Sequence, residues 1–451
     1  MTEKWLTRAA LICLFSLAAA APGFAESSWK AGVATVKINP TEPIWLAGYG
    51  ARDRPSEGIL SDIYAKALAL EDSTGARFVL VAADILGFNA VMSDAIAQRV
   101  EEQYGLSRDR LALNASHTHS APVTGAVLRP AYPLEPENLP PIERYTAKLL
   151  DQVVEIVGRA IDDLEPATLE FNQGLAGFAV NRRRVNLRQL PGPVDHDVPV
   201  MVVKGDDGAV KSLVFGYACH ATVLNGYEVS GDWPGYAQEA VEKQYPGAVA
   251  LFVTGCGADA NPLPRRSVEL AKRYGETLAF AVDLAVKEEM TKLEGPLRSA
   301  FETVDAPFQS PPTREELERR LETASEPAKR HAKFLLAKLD REGSLPEKYP
   351  YPIQVWQFGP DLTWIFLGGE VVVDYSLRFK ETYGWDDTWV AGYSNDVFAY
   401  IPSVRVLKEG GYEGGGAMIG YGQPRPFTAE IERIVADKVD ELVKRTSGTI
   451  P

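Results

Sequence analysis

The chain has 451 residues, of which 45% are hydrophobic and 24% are charged, a composition that is typical of folded globular proteins. Acidic side chains outnumber basic ones, 61 to 47, and the formal net charge is −14. This charge argues against a nucleic-acid partner bound on a broad basic face and against electrostatic docking on anionic lipid, but it allows a small lipid-like molecule held in an apolar groove.

The N-terminus has the pattern of a secretory signal peptide. Lys4 and Arg8 supply positive charge, residues 9–21 are apolar, and small residues before Glu26 suit cleavage by a signal peptidase. The apolar run is too short to cross a bilayer comfortably, so we expect no stable membrane span. We therefore predict a cleavable signal peptide, 1–25, and a secreted or periplasmic mature protein. An uncleaved anchor is the alternative.

Two cysteines remain once the signal peptide is removed, Cys219 and Cys256. In an oxidising compartment they can form one disulfide, and as residues of buried strands they can instead remain two thiols. Neither belongs to a Cys-x-x-Cys arrangement, which disfavours a structural zinc knuckle.

Apolar runs of strand length alternate with helical patterns along the chain. Strands are predicted at 29–38, 63–71, 77–85, 111–116, 167–171, 198–203, 210–217, 248–254, 363–367 and 387–393. Helices are predicted at 91–104, 142–164, 233–245, 266–287, 371–382 and 428–445. The alternation predicts an α/β fold with a mixed, mostly covered β-sheet and flanking helices, in a single domain spanning 26–451. Ligands in such folds bind at the carboxyl ends of the strands.

Residues 311–342 form a highly charged segment in which apolar residues are sparse. The pattern, with Pro327 near its middle, predicts a peripheral helical pair inserted into the domain. The pair is expected either to be a solvated scaffold or to act as a lid over the site, and His331 within it is expected to lie at the surface.

The stretch 114–122, with the sequence NASHTHSAP, holds two of the five histidines, His117 and His119. Residues two apart on a strand point to the same side, so both imidazoles would leave the predicted strand 111–116 aimed at one point. Two converging imidazoles at a strand end suit a zinc site, and two hydrogen-bonded histidines that cap the strand are the alternative.

Further polar residues follow apolar strands: Asp84, His220, Asp259 and Glu370. In a covered sheet these ends meet on one edge, where two or three histidines and one carboxylate make a catalytic zinc site with an open position for water. Zinc lowers the pKa of water towards about 7 and polarises a carbonyl group, which suits amide or ester hydrolysis. A two-metal phosphoesterase using Asp84, Asp232 and Asp259 is a competing interpretation. Asp84 and Asp232 also suit structural roles as a turn cap and a helix N-cap.

Three consecutive arginines, Arg182 to Arg184, stand out in an acidic chain. Two of them are expected to lie in a solvated turn, and one is expected to reach into the cleft as a clamp for an anion or a carbonyl oxygen. His196 is expected to be either a residue that supports the site or an ordinary loop residue.

Taken together, these motifs resemble the neutral/alkaline (non-lysosomal) ceramidase family. The stretch 114–122 is similar to that family's His-Thr-His-Ser-Gly-Pro signature. The other matches follow in chain order and are scattered from about 30 to 440: Gly48-Tyr49 with the region 60–70, Asn181-Arg182, Cys219-His220, Gly231-Asp232 with Gly235-Tyr236-Ala237, Gly369-Glu370, Asn395 with Tyr400, and Tyr412-Glu413.

The resemblance implies a zinc site and a role for each of its residues. The implied zinc ligands are two histidines, a carboxylate and a phenol: His117, His220, Glu370 and Tyr400. His119 is implied to hold the substrate or the attacking water and to shuttle a proton. Arg182 and Tyr412 are implied to steady the carbonyl oxygen or polar head as negative charge develops.

The chain departs from the family pattern between Gly257 and Pro262. Where the family has Gly-Asp-x-Ser-Pro-Asn, Ala260 stands at the serine position, so a serine nucleophile there is excluded and attack by zinc-activated water remains. The family's C-terminal β-sandwich domain is not expected within this chain. The resemblance implies a secreted, zinc-dependent amidohydrolase that cleaves a linear amide in a ceramide-like or other N-acyl substrate. A zinc-dependent esterase or phosphoesterase and a non-catalytic envelope binding protein are the alternatives.

Overall fold

Two β-sheets packed face to face form the centre of the fold. The structure, a computed structural model, describes residues 29–184 and 192–448, so the predicted signal peptide, 1–25, lies outside the described residues. Helices cover the outer face of each sheet, and the layers follow the order helix, sheet, sheet, helix. The predicted α/β class, with covered β-structure and flanking helices, is confirmed, and the second sheet is an addition to it.

The first sheet is mixed and carries most of the predicted strands. Its strands lie in this spatial order: Val249–Thr254, Val210–Tyr217, Asp197–Gly205, Glu165–Leu175, Trp29–Lys37, Tyr64–Asp72, Arg77–Ala83 and Leu111–Ala115, with Thr291–Lys292 beside Glu165–Leu175. The two strands at each end of this order run parallel to each other, and the strands between them pair antiparallel. The predicted strands of this sheet are all present, with ends that differ by a few residues.

The second sheet contains two strands that the sequence did not predict. In spatial order it consists of Leu297–Pro307, Lys348–Phe358, Leu362–Leu367 and Thr388–Ala391. Pro350 and Pro352 argue against a central strand. Both prolines lie where Lys348–Phe358 pairs on one side only, because the pairing with Leu362–Leu367 begins at Ile353. The missing N–H groups are therefore tolerated at what is locally a sheet edge.

The buried strands place alternate side chains in two different cores. Phe78 and Leu80 face the second sheet, where Trp364 lies, and Val79 and Val81 face the helices outside the first sheet. Because both faces are covered, every position along such a strand is apolar. The sequence accordingly shows continuous apolar runs there instead of an alternating pattern.

Helices cover the outer faces at the predicted positions. Those against the first sheet are Ala90–Tyr104, Leu139–Asp162, Asp232–Gln244 and Val268–Lys287, and those against the second sheet are Val373–Tyr383 and Glu430–Ser447. Short helices in the C-terminal loops are Val404–Glu409 and Met418–Tyr421. Within the two described ranges, none of the helices has both the length and the apolarity that crossing a bilayer requires.

The charged segment forms the predicted pair of helices, called here the helical hairpin: Arg314–Thr323 and Glu326–Glu342. The prediction that His331 is exposed is wrong: only 2% of it is exposed, and its Nε2 lies 2.9 Å from the carbonyl oxygen of Gln423. The ring of Phe334 packs against Gly422. The hairpin is thus docked on the C-terminal loop through the buried His331 and the partly exposed Phe334.

One end of the fold gathers the carboxyl ends of strands from both sheets. The Oδ1 of Asn114 accepts a hydrogen bond from the N–H of Thr254 at 2.9 Å, and its Nδ2 donates to the carbonyl oxygen of Gly392 at 2.8 Å. Asn114 and Thr254 belong to opposite edge strands of the first sheet, and Gly392 follows a strand of the second. One buried amide therefore joins both edges of the first sheet to the second sheet.

Short strand pairs connect the loops at this end: Gly58–Ile59 with Glu228–Val229, Ala179–Asn181 with Ala260–Pro262, and Glu370–Val371 with Tyr400–Ile401. Cys219 and Cys256, both in loops that follow strands at this end, are buried free thiols. The thiol alternative is the one that the structure shows, and the disulfide is absent.

Candidate metal centre and active site

His117 and His119 converge through a turn and not along a strand. The strand ends at Ala115, and His117 has a φ of +56°, in the left-handed region. The rule that residues two apart share a side therefore stops before His117. The turn nevertheless brings the two rings together, with their Nε2 atoms 3.3 Å apart. The convergence is found, but the physical reason given for it is wrong.

Two of the histidines present a fixed nitrogen to the site. The Nδ1–H of His117 donates to the carbonyl oxygen of Leu86 at 2.7 Å, and the Nδ1–H of His220 donates to that of Gly257 at 2.8 Å. Because a carbonyl oxygen only accepts, these bonds place the proton on Nδ1 and leave the lone pair of each Nε2 free. Burial, together with the nearby Arg182, lowers the pKa of His220 to about 4, which keeps this ring neutral at neutral pH.

Glu370 brings a third acceptor against these two nitrogens. Its Oε2 lies 3.0 Å from the Nε2 of His220 and 3.3 Å from the Nε2 of His117. Its Oε1 accepts a hydrogen bond from the hydroxyl of Tyr421, whereas the buried Oε2 has no hydrogen-bond donor among the described residues. The Glu370 oxygen therefore faces two unprotonated nitrogens at hydrogen-bond distance, with no proton between the oxygen and either nitrogen. Such an arrangement is repulsive unless a cation lies among them.

Tyr400 adds a fourth polar atom, its hydroxyl oxygen, to the group formed by the two histidine nitrogens and the carboxylate of Glu370. Its hydroxyl lies 3.2 Å from the Nε2 of His220 and accepts a hydrogen bond from Arg182 at 2.9 Å. The parallel pairing of Glu370–Val371 with Tyr400–Ile401 fixes the two side chains in register. Burial raises the pKa of the Tyr400 phenol well above its ordinary value, although Arg182 opposes this effect.

The separations fit a metal ion with tetrahedral coordination. Bonds of about 2.0–2.1 Å would place the ligand atoms of a tetrahedral zinc about 3.3 Å apart. The distances from His220 and His117 to Glu370 and from His220 to Tyr400 are 3.0 to 3.3 Å. Imidazole nitrogens combined with carboxylate and phenol oxygens suit a divalent ion such as zinc.

His119 belongs to the same cluster, and a loop glycine sets its position. The nitrogens of His117, His119 and His220 lie within 4.8 Å of one another, close enough to surround one ion. A Cβ on Gly48, which has a φ of +92°, would come within 2.3 Å of the His119 ring, so only glycine fits. The ring of Tyr49 also packs against His119, with the two ring centroids 4.8 Å apart. Burial lowers the pKa of His119 well below its ordinary value.

The arginine run differs in part from the prediction. Arg182 reaches the site as expected, and its Nε also lies 2.6 Å from Oε1 of Glu413. Arg183 does not lie in a solvated turn, because only 7% of its side chain is exposed and it binds the other oxygen of Glu413 at 2.6 Å. Tyr412 is 52% exposed, with its ring 5.7 Å from the Arg182 guanidinium carbon. Tyr412 therefore lies at the mouth of the site.

The aspartates of the two-metal interpretation are engaged elsewhere. Each is buried and accepts a hydrogen bond from a backbone N–H group: Asp84 from Tyr64, Asp232 from Leu224 and Asp259 from Val373. The predicted N-cap role of Asp232 is wrong, since Gly231 is the N-cap and Asp232 is the first residue of the helix. His196 is a loop residue whose Nδ1 lies 3.3 Å from the hydroxyl of Tyr217, outside the histidine cluster.

Sequence reasoning assigned no role to Tyr421 or Arg52, and both contact the centre. Tyr421 donates to Glu370 from a short helix in a glycine-rich loop. Arg52 is buried and donates to the carbonyl oxygen of His119 at 2.9 Å. Tyrosines and arginines are common in exposed loops, so their positions along the chain carry no indication that these two are buried.

The comparison with family models decides the family. The model described as neutral/alkaline non-lysosomal ceramidase, N-terminal, matches residues 30–260, more than half of the chain. The chain belongs to this ceramidase family. The matched region includes the three clustered histidines and ends before Glu370 and Tyr400. The oxygen side of the candidate centre therefore comes from the part of the chain beyond the match.

Curated relatives include two insect neutral ceramidases. Those of Drosophila pseudoobscura pseudoobscura and Drosophila melanogaster are each 26% identical to this chain, over 256 and 239 residues. The alignments cover 53% and 49% of this chain, and 36% and 33% of the relatives. The matched region thus spans about a third of the length of these relatives.

Two solved structures have a similar fold. The neutral ceramidase from Pseudomonas aeruginosa superposes with a TM-score of 0.73 at 18% identity, over 95% of this chain and 76% of that chain. A ceramidase complexed with C2 also gives 0.73, at 17% identity, over 94% of this chain and 76% of that chain. Because these likenesses span nearly the whole chain, the shared fold includes the second sheet as well as the first.

Proposed function

We propose that this protein is a zinc-dependent amidohydrolase that cleaves the amide bond of a ceramide-like or other N-acyl substrate. The observation that carries the proposal is the position of the Glu370 Oε2, which lies 3.0 Å from the unprotonated Nε2 of His220 and 3.3 Å from that of His117. Membership of the ceramidase family supports an amide as the bond and a lipid-like molecule as the substrate.

The residues that would hold the ion are His117, His220, Glu370 and Tyr400. Zinc bound there supplies a Lewis acid that lowers the pKa of water and polarises a carbonyl group. Tyr421 and Arg182 hydrogen-bond the two oxygen ligands and keep them oriented. The carbonyl oxygens of Leu86 and Gly257 do the same for the two imidazoles.

His119 is the proposed proton carrier of the reaction. In amide hydrolysis the oxygen of one water molecule bonds to the carbonyl carbon, the carbon–nitrogen bond breaks, and the amine leaves with a proton. His119 takes the proton from the water at Nε2 and returns it to the amine nitrogen. Ala260 has no hydroxyl group, so this position offers no serine nucleophile.

Arg182 and Tyr412 are proposed to stabilise the carbonyl oxygen. Arg182 is already fixed by Glu413 and Tyr400, so its charge is in place before the substrate binds. Donors that are fixed in advance lower the barrier because they need no reorganisation as charge develops on the oxygen. The exposed Tyr412 ring lies where a substrate would enter.

We also propose that the protein works outside the cytoplasm. Lys4, Arg8 and the apolar run 9–21 support an exported chain in which residues 26–451 form one hydrolase domain. Expression with the native N-terminus, followed by N-terminal sequencing of exported protein, tests the export route. A mature protein that begins at Glu26 is the expected result, and an intact N-terminus in the exported protein would contradict cleavage.

Metal analysis and a matched substrate panel test the activity. Purified protein should hold about one zinc per chain and should release laurate from an N-lauroyl amide. Chelation should abolish the reaction, and added zinc should restore it. Activity that survives complete metal removal would contradict the zinc requirement. Cleavage restricted to a lauroyl ester or to a phosphate ester would replace the amidase with the corresponding hydrolase, and tight lipid binding without turnover would indicate a binding protein.

A further inference from the structure

Arg265 and Arg266 differ from Arg182 and Arg183 in the groups that they bind. Arg182 and Arg183 are both bound to the carboxylate of Glu413. Arg265 instead donates to the hydroxyl of Thr222 at 3.4 Å, and Arg266 donates to the Tyr49 hydroxyl at 3.0 Å and to the Thr222 carbonyl at 3.5 Å. Within the described part of the chain, all of these partners are uncharged oxygens.

Arg266 is linked to His119 through one side chain, and Arg265 contacts the segment that follows His220. Thr222, which binds Arg265, follows His220 by two residues. Tyr49, which binds Arg266, packs its ring 4.8 Å from the ring of His119. The two arginines are part of the loop that begins with Ala260–Pro262 beside His220 and ends at the helix Val268–Lys287. The two arginines therefore border the segments that carry His119 and His220.

The backbone holds Arg266 in this position against its own preference. Arg266 has a φ of +93°, which an L side chain rarely adopts, and its N–H donates to the carbonyl oxygen of Val223 at 2.8 Å. Such conformations cost on the order of 1–3 kcal/mol and are retained mainly where function needs them. The strain supports a role for the arginine at this site beyond solubility.

One buried carboxylate, that of Asp232, lies near the two arginines and is already hydrogen-bonded to main-chain N–H groups. Asp232 is fully buried and accepts hydrogen bonds from the backbone N–H groups of Val223, Leu224 and Trp233. It offsets part of the positive charge from within the protein, but it cannot reach the solvent-facing side of the two arginines. Two adjacent cations on one loop, with this internal anion behind them, leave a net positive patch in a protein whose overall charge is −14.

We propose that Arg265 and Arg266 form an anion subsite that binds a carboxylate or phosphate on the polar portion of the N-acyl substrate. Guanidinium groups bind both anions through paired, charge-assisted hydrogen bonds. The inference rests on the proposed amidase function and narrows its substrate from uncharged ceramide-like lipids to anionic N-acyl compounds, such as an N-acyl amino acid or an N-acyl phosphoethanolamine. The same loop carries Ala260 at the family's serine position, so contacts with the polar portion differ here in any case.

Three substrates with one acyl chain test this subsite. N-lauroylglycine carries a carboxylate, N-lauroyl phosphoethanolamine carries a phosphate, and N-lauroylglycinamide is the uncharged match of the first. We expect kcat/KM for at least one anionic substrate to exceed that for the glycinamide by about 10-fold or more, since charge-assisted hydrogen bonds are involved. The preferred anion identifies the chemistry. Equal or higher kcat/KM for the glycinamide would overturn the proposal.

Variants separate the subsite from general damage. The double variant R265Q/R266Q should lower kcat/KM for the preferred anion about 10- to 100-fold, mainly through KM, and leave the glycinamide within about 2-fold. R273Q, an exposed arginine on the following helix, is the matched control and should change neither. Equal losses on charged and uncharged substrates would show a structural role only, and no loss on either would show that the arginines bind no substrate group.

Failure of the proposed function remains distinguishable from failure of this inference. If the wild-type protein hydrolyses none of the three amides, the amidase proposal fails. Calorimetric binding of N-lauroylglycine and N-lauroylglycinamide to wild type and R265Q/R266Q then decides the subsite alone. Tighter binding of the anion that the double variant loses supports the subsite, and equal binding of the two ligands overturns it.

Discussion

The two halves of the candidate centre are held in different ways. The nitrogen half belongs to the first sheet, and backbone carbonyl oxygens fix the imidazoles of His117 and His220. The oxygen half belongs to the second sheet, and side chains fix it: Tyr421 holds Glu370, and Arg182 holds Tyr400. One half thus depends on the course of the main chain, and the other depends on exchangeable side chains.

This difference predicts how each half responds to substitution. A backbone carbonyl cannot be removed by changing a side chain, so the orientation of the imidazoles should resist changes around them. A hydrogen bond from Tyr421 or Arg182 is lost with one substitution, and such supporting contacts typically change metal affinity by about 10- to 100-fold. We therefore expect graded metal loss around the oxygen half and abrupt loss only when a histidine itself is removed.

The largest effect is expected from His220→Ala. The variant removes a nitrogen that lies near both Glu370 and Tyr400, so we expect bound zinc to fall from about one per chain to almost none and hydrolysis to fall on the order of 10³-fold or more. Metal analysis and initial rates measure both. His196→Ala, which removes a histidine outside the cluster, is the control. Full zinc occupancy in His220→Ala would remove this residue from the ligand set.

Within the nitrogen half, Gly48→Ala should lower the rate of hydrolysis without lowering the zinc content. The added methyl group would overlap the His119 ring and displace it. A displacement of about 1 Å can cost about 10²-fold in rate, so we expect a loss of that order with zinc content unchanged. Gly177→Ala is the control, since a Cβ there meets nothing within 4 Å. Parallel loss of zinc and activity in Gly48→Ala would instead make His119 a ligand.

Tyr421→Phe should weaken zinc binding by the oxygen half without abolishing it. Glu370 loses the donor on its Oε1, so we expect the zinc dissociation constant to rise about 10- to 100-fold and the rate to recover at saturating zinc. Competition with a chromogenic chelator measures the constant. Tyr351→Phe is the control, because that buried hydroxyl has no hydrogen-bond partner within the described ranges. An unchanged constant in Tyr421→Phe would show that Glu370 needs no such support.

Asn114→Ala should lower the stability of the fold that carries both halves. Of these substitutions, it should change the rate of hydrolysis least. The change leaves the N–H of Thr254 and the carbonyl oxygen of Gly392 without their buried partner. We expect the free energy of unfolding to fall by about 2–4 kcal/mol, measured by denaturant titration. Asn172→Ala is the control: this partly buried amide donates to the carbonyl oxygen of Ala285 and accepts from the N–H of its neighbour Gln173, and its loss should cost about 1 kcal/mol. A rate that falls in folded Asn114→Ala would show that the sheets set the site geometry more finely than expected.

The nitrogen half was largely accessible from the sequence. His117, His119 and His220 each follow a mostly apolar run, and strands covered on both faces produce such runs. The rule that polar residues after such strands meet on one edge then brings them together. The rule also selected Asp84 and Asp259, because it cannot tell a side chain that faces the site from one that turns back to bind the main chain.

The oxygen half is held together by contacts between residues far apart in the chain, and the local sequence pattern does not reveal such contacts. Glu370 follows a predicted strand, but Tyr400 was assigned only through the family resemblance, and Tyr421 was given no role. The two strands missed from the second sheet explain part of this. Leu297–Pro307 is largely half-buried or exposed and rich in polar residues, and Lys348–Phe358 contains two prolines at its open edge. Neither has the strong alternation or the continuous apolar run by which strands are recognised.

The docked helical hairpin is connected to the oxygen half of the centre through the C-terminal loop. His331 binds the carbonyl oxygen of Gln423, and Tyr421, two residues earlier on the same short loop, binds Glu370. Coupling between two such contacts is reciprocal, because each must stabilise the other by the same free energy. Zinc bound at Glu370 should therefore slow amide hydrogen exchange in Glu326–Glu342, although none of that helix contacts the ion. If zinc does not change amide hydrogen exchange in the hairpin, the hairpin and the centre are not thermodynamically coupled.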